Sequence, residues 1–255
     1  MSLSNSILQQ FEPIKLEEMD RVKLMNRTDT KFLFTHSQFD AIMGEVLEHY
    51  RILEVNGVRS SRYKTLYYDT SDLTLYSNHH NGKSNRYKIR HRTYVETSVG
   101  FLEVKFKNNK GRTIKNRIEE PEASDTWLGE SEAFLRTVQP FDPQQLLPVL
   151  WVNYNRHTLV HKTEAERLTI DTDLEFIKNG ETKKLEGLVI AEVKQDRRKQ
   201  SPFIQMMKKY HIREGSLSKY CLGIALTCKE VKKNNFKRKL LNLNQLLYHG
   251  IAANH

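Results

Sequence analysis

The chain has 255 residues, and its 41 Lys and Arg against 31 Asp and Glu give a formal charge of +10. This length can bury a sizeable core, and the basic balance favours a polyanionic partner: nucleic acid, a phosphate-rich small molecule or an anionic membrane surface. Cys221 and Cys228 are too few for a disulfide framework, and we find neither a signal peptide nor an apolar run that could span a membrane. We therefore expect a protein of a reducing compartment, most simply the cytoplasm.

No internal repeat or linker divides the sequence into several domains. We expect an N-terminal lead-in over residues 1–24, a main domain over 25–231 and a C-terminal helix over 232–255, basic in its first half and Leu-rich in its second. The leucines of that helix are expected to pack on the main domain. The alternative is a basic amphipathic surface for a membrane or for a membrane-protein partner.

The first elements carry one charged strand and one amphipathic helix. Residues 25–34 are predicted to form a strand with Arg27, Asp29 and Lys31 on one side. Ser37 is the predicted N-cap of a helix over residues 38–50. After two strand-like segments, residues 71–81 form a polar stretch that we interpret as a loop.

Residues 86–118 give the clearest pattern in the chain, three short strands that each have one apolar and one charged side. Successive strand residues point to opposite faces, so alternation assigns the charges to one side. The charged sides of the three strands hold Arg86, Lys88, Arg90 and Arg92, then Glu103, Lys105 and Lys107, then Lys115 and Arg117.

Two interpretations of this cationic side are open. Antiparallel sheets commonly face water on one side, so the charges could form a solvated surface. However, like charges that oppose each other across hairpins are destabilising, and a solvated face usually mixes the signs. We therefore favour the binding of an anion.

The second half continues the alternation and adds acids to the charged sides. Strands are predicted over residues 150–161 with Arg156, over 167–173 with Arg167 and Asp171, and over 188–194 with Glu192 and Lys194. Helices are predicted over residues 124–138, from Ser201 to about residue 210, and over 217–231.

The charged sides would repel one another if they were spread over an open sheet. Closed into an antiparallel β-barrel of about eight strands, they would line a polar tunnel that takes one small ligand. The sequence therefore predicts an α+β fold, a closed barrel with a charged lumen and with helices packed outside. The implied ligand is a compact polyanion, because Arg binds phosphate bidentately and Lys as a point charge. Nucleic acid is disfavoured, since we find no aromatic residues among these cations for base stacking.

Eight short motifs in chain order carry a resemblance to a known family. The sequence resembles the polyphosphate polymerase domain of vacuolar transporter chaperone (VTC) proteins, within the CYTH or triphosphate tunnel metalloenzyme superfamily. The motifs are Arg27-x-Asp29-x-Lys31, Lys88-x-Arg90-x-Arg92, Glu103-x-Lys105, Lys115-x-Arg117, Tyr154-Asn155-Arg156, Arg167 followed by Asp171-Thr172-Asp173, Glu192-x-Lys194 and Ser218-Lys219-Tyr220.

The resemblance implies transfer of the γ-phosphoryl group of ATP to a growing polyphosphate, with Mn²⁺ or Mg²⁺ as cofactor and with pyrophosphate or triphosphate as further ligands. Arg156 and Glu192 match the catalytic positions, and Glu192 matches the metal-binding glutamate. Glu103, Asp29 and Asp171 are further candidate metal ligands. The candidate phosphate-binding residues are Arg27, Lys31, Lys88, Arg90, Arg92, Lys105, Lys115, Arg117, Arg167, Lys194, Ser218 and Lys219.

Two alternatives to the polymerase remain open. Hydrolytic members of the superfamily carry paired glutamates on the first strand, where this chain has Arg27 and Asp29, which favours the polymerase branch. A metal-dependent triphosphatase would instead need Glu103 or Asp29 as a base to activate water. The second alternative is a non-catalytic binder of polyphosphate or nucleic acid.

Overall fold

The computed structural model describes residues 5–22, 27–197 and 199–252, so residues 25 and 26 of the predicted first strand lie outside it. The described chain has twelve strands in one sheet: β1 (Glu12–Ile14), β2 (Thr28–Thr35), β3 (Tyr50–Leu53), β4 (Ser61–Asp69), β5 (Arg86–Tyr94), β6 (Val99–Lys107), β7 (Thr113–Glu119), β8 (Leu147–His161), β9 (Glu166–Lys178), β10 (Glu181–Leu185), β11 (Leu188–Gln195) and β12 (Glu214–Gly215). Its α-helices are α1 (Asn5–Gln9), α2 (His36–Val46), α3 (Thr74–His80), α4 (Gly129–Val138), α5 (Pro202–Lys209), α6 (Lys219–Thr227) and α7 (Lys237–Ala252).

The sheet confirms the α+β class but does not confirm a closed barrel. Its main path runs β12-β2-β11-β9-β8-β4-β5-β6-β7 through antiparallel pairs, while β1, β3 and β10 pair beside that path. The path is open because β12 contributes only two residues at one end, and the outer edge of β7 pairs with no described strand. The sheet has twelve described strands where about eight were predicted. The additional strands are short, and too few residues in them alternate between polar and apolar to be predicted.

The sheet is nevertheless strongly curved. Lys105 on β6 and Glu192 on β11 are five strand positions apart, a separation of about 24 Å in a flat sheet. Ionic interactions between exposed groups are largely screened beyond about 10 Å. Even so, the Glu192 charge acts on the pKa of Lys105. The charged sides of distant strands therefore face one another across a concave surface, which we call the concave face.

The three predicted basic strands are confirmed, and the like charges expected across the hairpins occur in one row but not in the next. β5, β6 and β7 form two hairpins, and Lys88 lies opposite Lys105, which in turn lies opposite Lys115. In the neighbouring row, Arg90 lies opposite Glu103. The cations of these strands thus share one side of the sheet, as the alternation predicts.

Most helices cover the apolar convex side, but α6 does not. Helices α2 and α5 pack on Phe34 and Val189 of the convex side, and Trp127, which precedes α4, packs on Val104. By contrast, α6 packs on Ile190, which points to the same side of β11 as Glu192. The prediction that the helices pack outside is therefore wrong for α6, and also for α7, which packs on the same cluster of residues.

Close packing explains how α6 fits into the concave face. A Cβ atom on Gly223 would approach the Leu150 side chain to 2.5 Å and the Phe176 ring to 2.6 Å. Glycine is required there because such contacts are shorter than any that neighbouring side chains normally make. The apolar side of α6 thus fills one part of the concave face, and Lys219 in its first turn lies beside the charged part.

The C-terminal helix α7 packs on the same core as α6. Leu243 is buried, and Leu240, Leu246 and Leu247 are partly buried against this core, which confirms the preferred interpretation of its leucines. No helix among the described residues is both long enough and apolar enough to cross a membrane.

Candidate functional site

The charged side chains of the concave face form two groups. The first, the paired wall, comes from β2, β8, β9, β11 and the start of α6. Its members are Lys31, Arg156, Asp171, Glu192, Lys194 and Lys219. The second, the lysine wall, comes from β5, β6 and β7, and its members are Lys88, Arg90, Glu103, Lys105 and Lys115.

In the paired wall, Glu192 bridges two lysines. Strand pairing sets Glu192 directly opposite Lys31, and the Lys31 Nζ lies 2.5 Å from the Glu192 Oε1. Lys194 Nζ lies 3.1 Å from the Glu192 Oε2 and donates to the Thr169 hydroxyl at 2.8 Å. Burial alone would raise the pKa of Glu192, but the Lys194 and Lys31 charges hold it well below its usual value. Glu192 is therefore a carboxylate at neutral pH.

Asp171 bridges the other two cations of the paired wall. Arg156 lies directly opposite it and binds it bidentately, with Nε to Oδ1 at 2.6 Å and Nη2 to Oδ2 at 2.8 Å. The Lys219 Nζ donates to the Asp171 Oδ2. Although burial would raise the pKa of Asp171, the Arg156 and Lys219 charges lower it. This network holds the Arg156 guanidinium in one orientation before any ligand arrives.

The lysine wall has a single carboxylate, Glu103. Arg90 Nε donates to the Glu103 Oε2 at 2.7 Å, and Lys115 forms an ion pair with the Oε1. Despite burial, the Arg90, Arg92 and Lys115 charges lower the pKa of Glu103. Among the described residues, neither Lys88 nor Lys105 has an ion pair.

Burial and mutual repulsion lower the pKa values of Lys88 and Lys105. Burial lowers the pKa of Lys88 to about 8, and the nearby arginines Arg90 and Arg86 contribute to the shift. Burial, Lys88 and Arg90 lower the pKa of Lys105 to about 8 as well. The Lys105 side chain remains accessible to solvent. The lysine wall thus carries positive charge, at Lys88 and Lys105, that no ion pair among the described residues neutralises.

Beside the paired wall, the buried Arg167 Nε and the buried Tyr154 hydroxyl have no hydrogen-bond partner within the described residues. Burial, followed by the Arg27 and Arg156 charges, lowers the pKa of Arg167. Buried polar groups are nearly always hydrogen-bonded, so unpaired donors among cations indicate a place for an anion.

Aromatic rings lie on the same side of the sheet as the cations, and the prediction of their absence is wrong. Phe101 contacts Tyr94 with ring centroids 6.0 Å apart, Tyr94 contacts Tyr63 at 4.9 Å, and Tyr63 stacks on Tyr154 at 5.1 Å. We call these four residues the aromatic arc. Residues 94 and 101 continue the alternation of Arg92 and Glu103, so the pattern that gave the cations could also have given these rings.

Arginines lie against the aromatic arc. The Arg92 guanidinium carbon is 5.2 Å from the centroid of the Tyr63 ring, and that of Arg156 is 5.0 Å from the same ring. Arg117 lies over Phe101 at 4.3 Å. Such contacts orient a cation without supplying a negative charge that would compete with a bound anion.

The remaining predicted site residues are placed less centrally. Ser218 is the N-cap of α6 and accepts a hydrogen bond from the Cys221 N–H at 3.3 Å. Arg27 lies at the outer end of β2 and donates to Asp29 at 3.0 Å. Arg117 is exposed on the edge strand β7. The structure therefore gives Ser218 a capping role, while the other two residues border the concave face.

A comparison with family models matches residues 26–228 to the VTC domain. The chain belongs to the VTC domain family. No curated protein matches the chain.

Several solved structures are similar to this VTC domain at low identity. A candidate adenylate cyclase from Bacillus halodurans is 13% identical, with 76% of this chain and 96% of that chain covered and a TM-score of 0.45. HpAC1 from Hippeastrum, described as having a dominant triphosphatase activity, is 14% identical, with 81% and 98% covered and a TM-score of 0.46. PH1819 from Pyrococcus horikoshii OT3 is 12% identical, with 78% and 96% covered and a TM-score of 0.43. At these scores the similarities add nothing to the family match.

The donor set of this VTC domain suits a divalent ion that also binds phosphate. The described residues contain no group of three or more Asp, Glu, His or Cys side chains that could hold a metal. Glu192 lies opposite Lys31, and the adjacent pair is Lys194 with Asp29, so the two carboxylates are diagonal neighbours. Mg²⁺ and similar hard cations are commonly held by one or two carboxylates together with substrate phosphates. Glu103 and Asp171 fit less well, because each is bound by an arginine as well as a lysine, whereas the ion pairs of Glu192 are with lysines.

Proposed function

We propose that this VTC domain is a metal-dependent polyphosphate polymerase that transfers the γ-phosphoryl group of ATP to the end of a polyphosphate chain. One observation carries the proposal. Cations from two walls meet on a single concave face, and within the part of the chain that the structure describes, Lys88, Lys105 and the Arg167 Nε have no anionic partner there. A chain of phosphates supplies the evenly spaced negative charge that such a face requires.

The reaction needs positioning and charge neutralisation more than it needs a base. A terminal oxygen of the acceptor phosphate forms a bond to the γ-phosphorus, and the bond from that phosphorus to the β–γ bridging oxygen breaks. ADP leaves with the electron pair. The attacking oxygen is already anionic, so no proton has to be removed.

The state of Glu103 supports transfer to phosphate over transfer to water. A triphosphatase would need an acid of this face to accept a proton from water. Glu103 is buried, its pKa lies below its usual value, and two cations bind it. A carboxylate in this state is a weak base, which makes it unsuited to activating water.

Each wall has a part in the proposed mechanism. Arg156, held in place by Asp171, stabilises the charge that develops on the transferred phosphoryl group. Lys88, Lys105 and Lys115 bind the phosphate chain as point charges. Glu192, with Asp29 beside it, would hold Mn²⁺ or Mg²⁺, which supplies neutralisation of phosphate oxygens when bound.

Product analysis tests the proposal. The protein is incubated with ATP and Mn²⁺, and the products are sized on gels and identified by phosphorus NMR. We expect acid-labile chains longer than triphosphate, and their loss when the metal is chelated. ADP and orthophosphate alone would identify a triphosphatase instead. Saturable triphosphate binding without turnover in any divalent metal would identify a binder.

A further inference from the structure

The rings of the aromatic arc differ in how accessible they are. Tyr63 and Tyr154 are packed against Arg92 and Arg156, and the Lys219 Nζ lies 4.6 Å from the Tyr154 ring centroid. Tyr94 and Phe101, at the other end, are half-buried. Of the described cations, only Arg117, whose side chain is exposed, is stacked over Phe101. A flat ligand could thus reach this end by displacing one surface side chain.

The distance from the cations matches the dimensions of a nucleotide. Phe101 lies directly opposite Arg92, one row along the strands from Arg90 and Glu103. Two residues of a strand span about 7 Å. A nucleotide separates its base from its first phosphate by one ribose, a comparable length. Phosphates bound between the two walls would therefore bring a base to the Tyr94–Phe101 end.

We infer that Tyr94 and Phe101 form a stacking site for the base of a nucleoside triphosphate. The inference deepens the proposed function, since it gives the donor a binding site that inorganic polyphosphate does not use. Every base has a π-face, so stacking on Phe101 and contact with the Arg117 guanidinium would tolerate different bases. The site distinguishes nucleotides from inorganic triphosphate rather than one base from another.

Binding of ATP and of inorganic triphosphate is compared by calorimetry for Phe101→Leu, with EDTA present to prevent turnover. Leucine keeps an apolar side chain but removes the ring. We expect ATP to bind about tenfold more weakly and triphosphate to change by less than about twofold. The matched control is Phe106→Leu, since Phe106 lies on the same strand but stacks on Tyr87 on the convex side. It should leave the ratio of the two affinities unchanged.

Three outcomes would overturn the inference. ATP and triphosphate could weaken equally in Phe101→Leu, which would mean that the ring only supports the cations. Both affinities could stay unchanged, or Phe101→Tyr, which restores a ring, could fail to restore ATP binding. Melting temperatures check that each variant folds. The experiment measures binding and does not depend on turnover. If Phe101→Leu weakens ATP binding selectively but the protein makes no polyphosphate, the stacking site stands and only the proposed function is overturned.

Discussion

The two walls of the concave face handle positive charge in opposite ways. In the paired wall each carboxylate bridges two cations, as Glu192 does for Lys31 and Lys194. In the lysine wall, Lys88 and Lys105 face each other, and neither forms an ion pair with any residue that the structure describes. The paired wall can hold its geometry without a ligand, whereas the lysine wall lowers the stability of the empty protein. The lysine wall is therefore the stronger indication that the protein binds an anion.

The largest expected effect is on catalysis by the paired wall. Arg156→Ala should lower kcat for polyphosphate synthesis by about 1000-fold, because an arginine that stabilises the transferred phosphoryl group contributes on that scale. ATP binding should persist, since the lysine wall is intact. Steady-state kinetics separates the two effects.

A second variant controls for folding, because Arg156→Ala leaves the buried Asp171 with one cation fewer. The double variant Arg156→Ala with Asp171→Asn removes the uncompensated charge and should remain equally inactive. A rise in KM at unchanged kcat would contradict the assigned role of Arg156.

The next effect concerns the metal. Glu192→Gln should reduce Mn²⁺-dependent turnover by at least about 100-fold, because the amide binds a divalent cation poorly. Turnover is measured as a function of Mn²⁺ concentration. Glu164→Gln, on an exposed glutamate that pairs with Lys199, is the matched control. If both variants were equally active at all metal concentrations, Glu192 would not be a metal ligand.

The walls should respond in opposite directions when a lysine is removed. Lys88→Met should weaken triphosphate binding by about tenfold and raise the melting temperature of the empty protein by about 2 °C, because it relieves repulsion. Lys194→Met should lower the melting temperature, because it removes one of the two lysines that neutralise the partly buried Glu192. Differential scanning calorimetry measures both shifts. The same sign for the two variants would mean that the walls do not differ as described.

The smallest predicted effect is the change of stability and of triphosphate affinity with pH. Burial lowers the pKa of Lys88 and Lys105 to about 8 from the usual 10.5, so between these pH values the unfolded chain binds more protons than the folded one. The free energy of unfolding should therefore gain a stabilising contribution as pH rises through this window. Triphosphate affinity should fall about fivefold from pH 7.5 to 9, as the lysines lose charge. An affinity that does not vary over this range would contradict the lowered pKa values.

The sequence predicts the lysine wall well because its determinants are local. Strict alternation and two short turns place Lys88, Lys105 and Lys115 in one row, and the strand register confirms it. Curvature is different, since it depends on pairing between strands that are distant in the chain. The sequence therefore did not predict three features of the fold: the open path of the sheet, the additional short strands and the position of α6 on the concave face.

The predictions of helix ends were wrong where the capping residue lies outside the apolar repeat of the helix. Residues 71–81 lack an apolar stripe, but the buried Asp69 accepts hydrogen bonds from the Leu75 and Tyr76 N–H groups at 2.8 Å each, and α3 forms there. Helix α2 begins at His36, before the predicted cap at Ser37, because the Gln38 side chain accepts from the Thr35 N–H at 3.2 Å. Such side-chain contacts cannot be inferred from periodicity.

Binding of inorganic triphosphate tests most directly whether both walls hold the same phosphate chain. Calorimetry on the unmodified protein, on Lys105→Met, on Arg167→Met and on the double variant gives the stoichiometry and the affinities. We predict one site per chain, about tenfold weaker binding in each single variant and still weaker binding in the double variant. Unchanged affinity in either single variant, or two independent sites, would contradict a shared concave face.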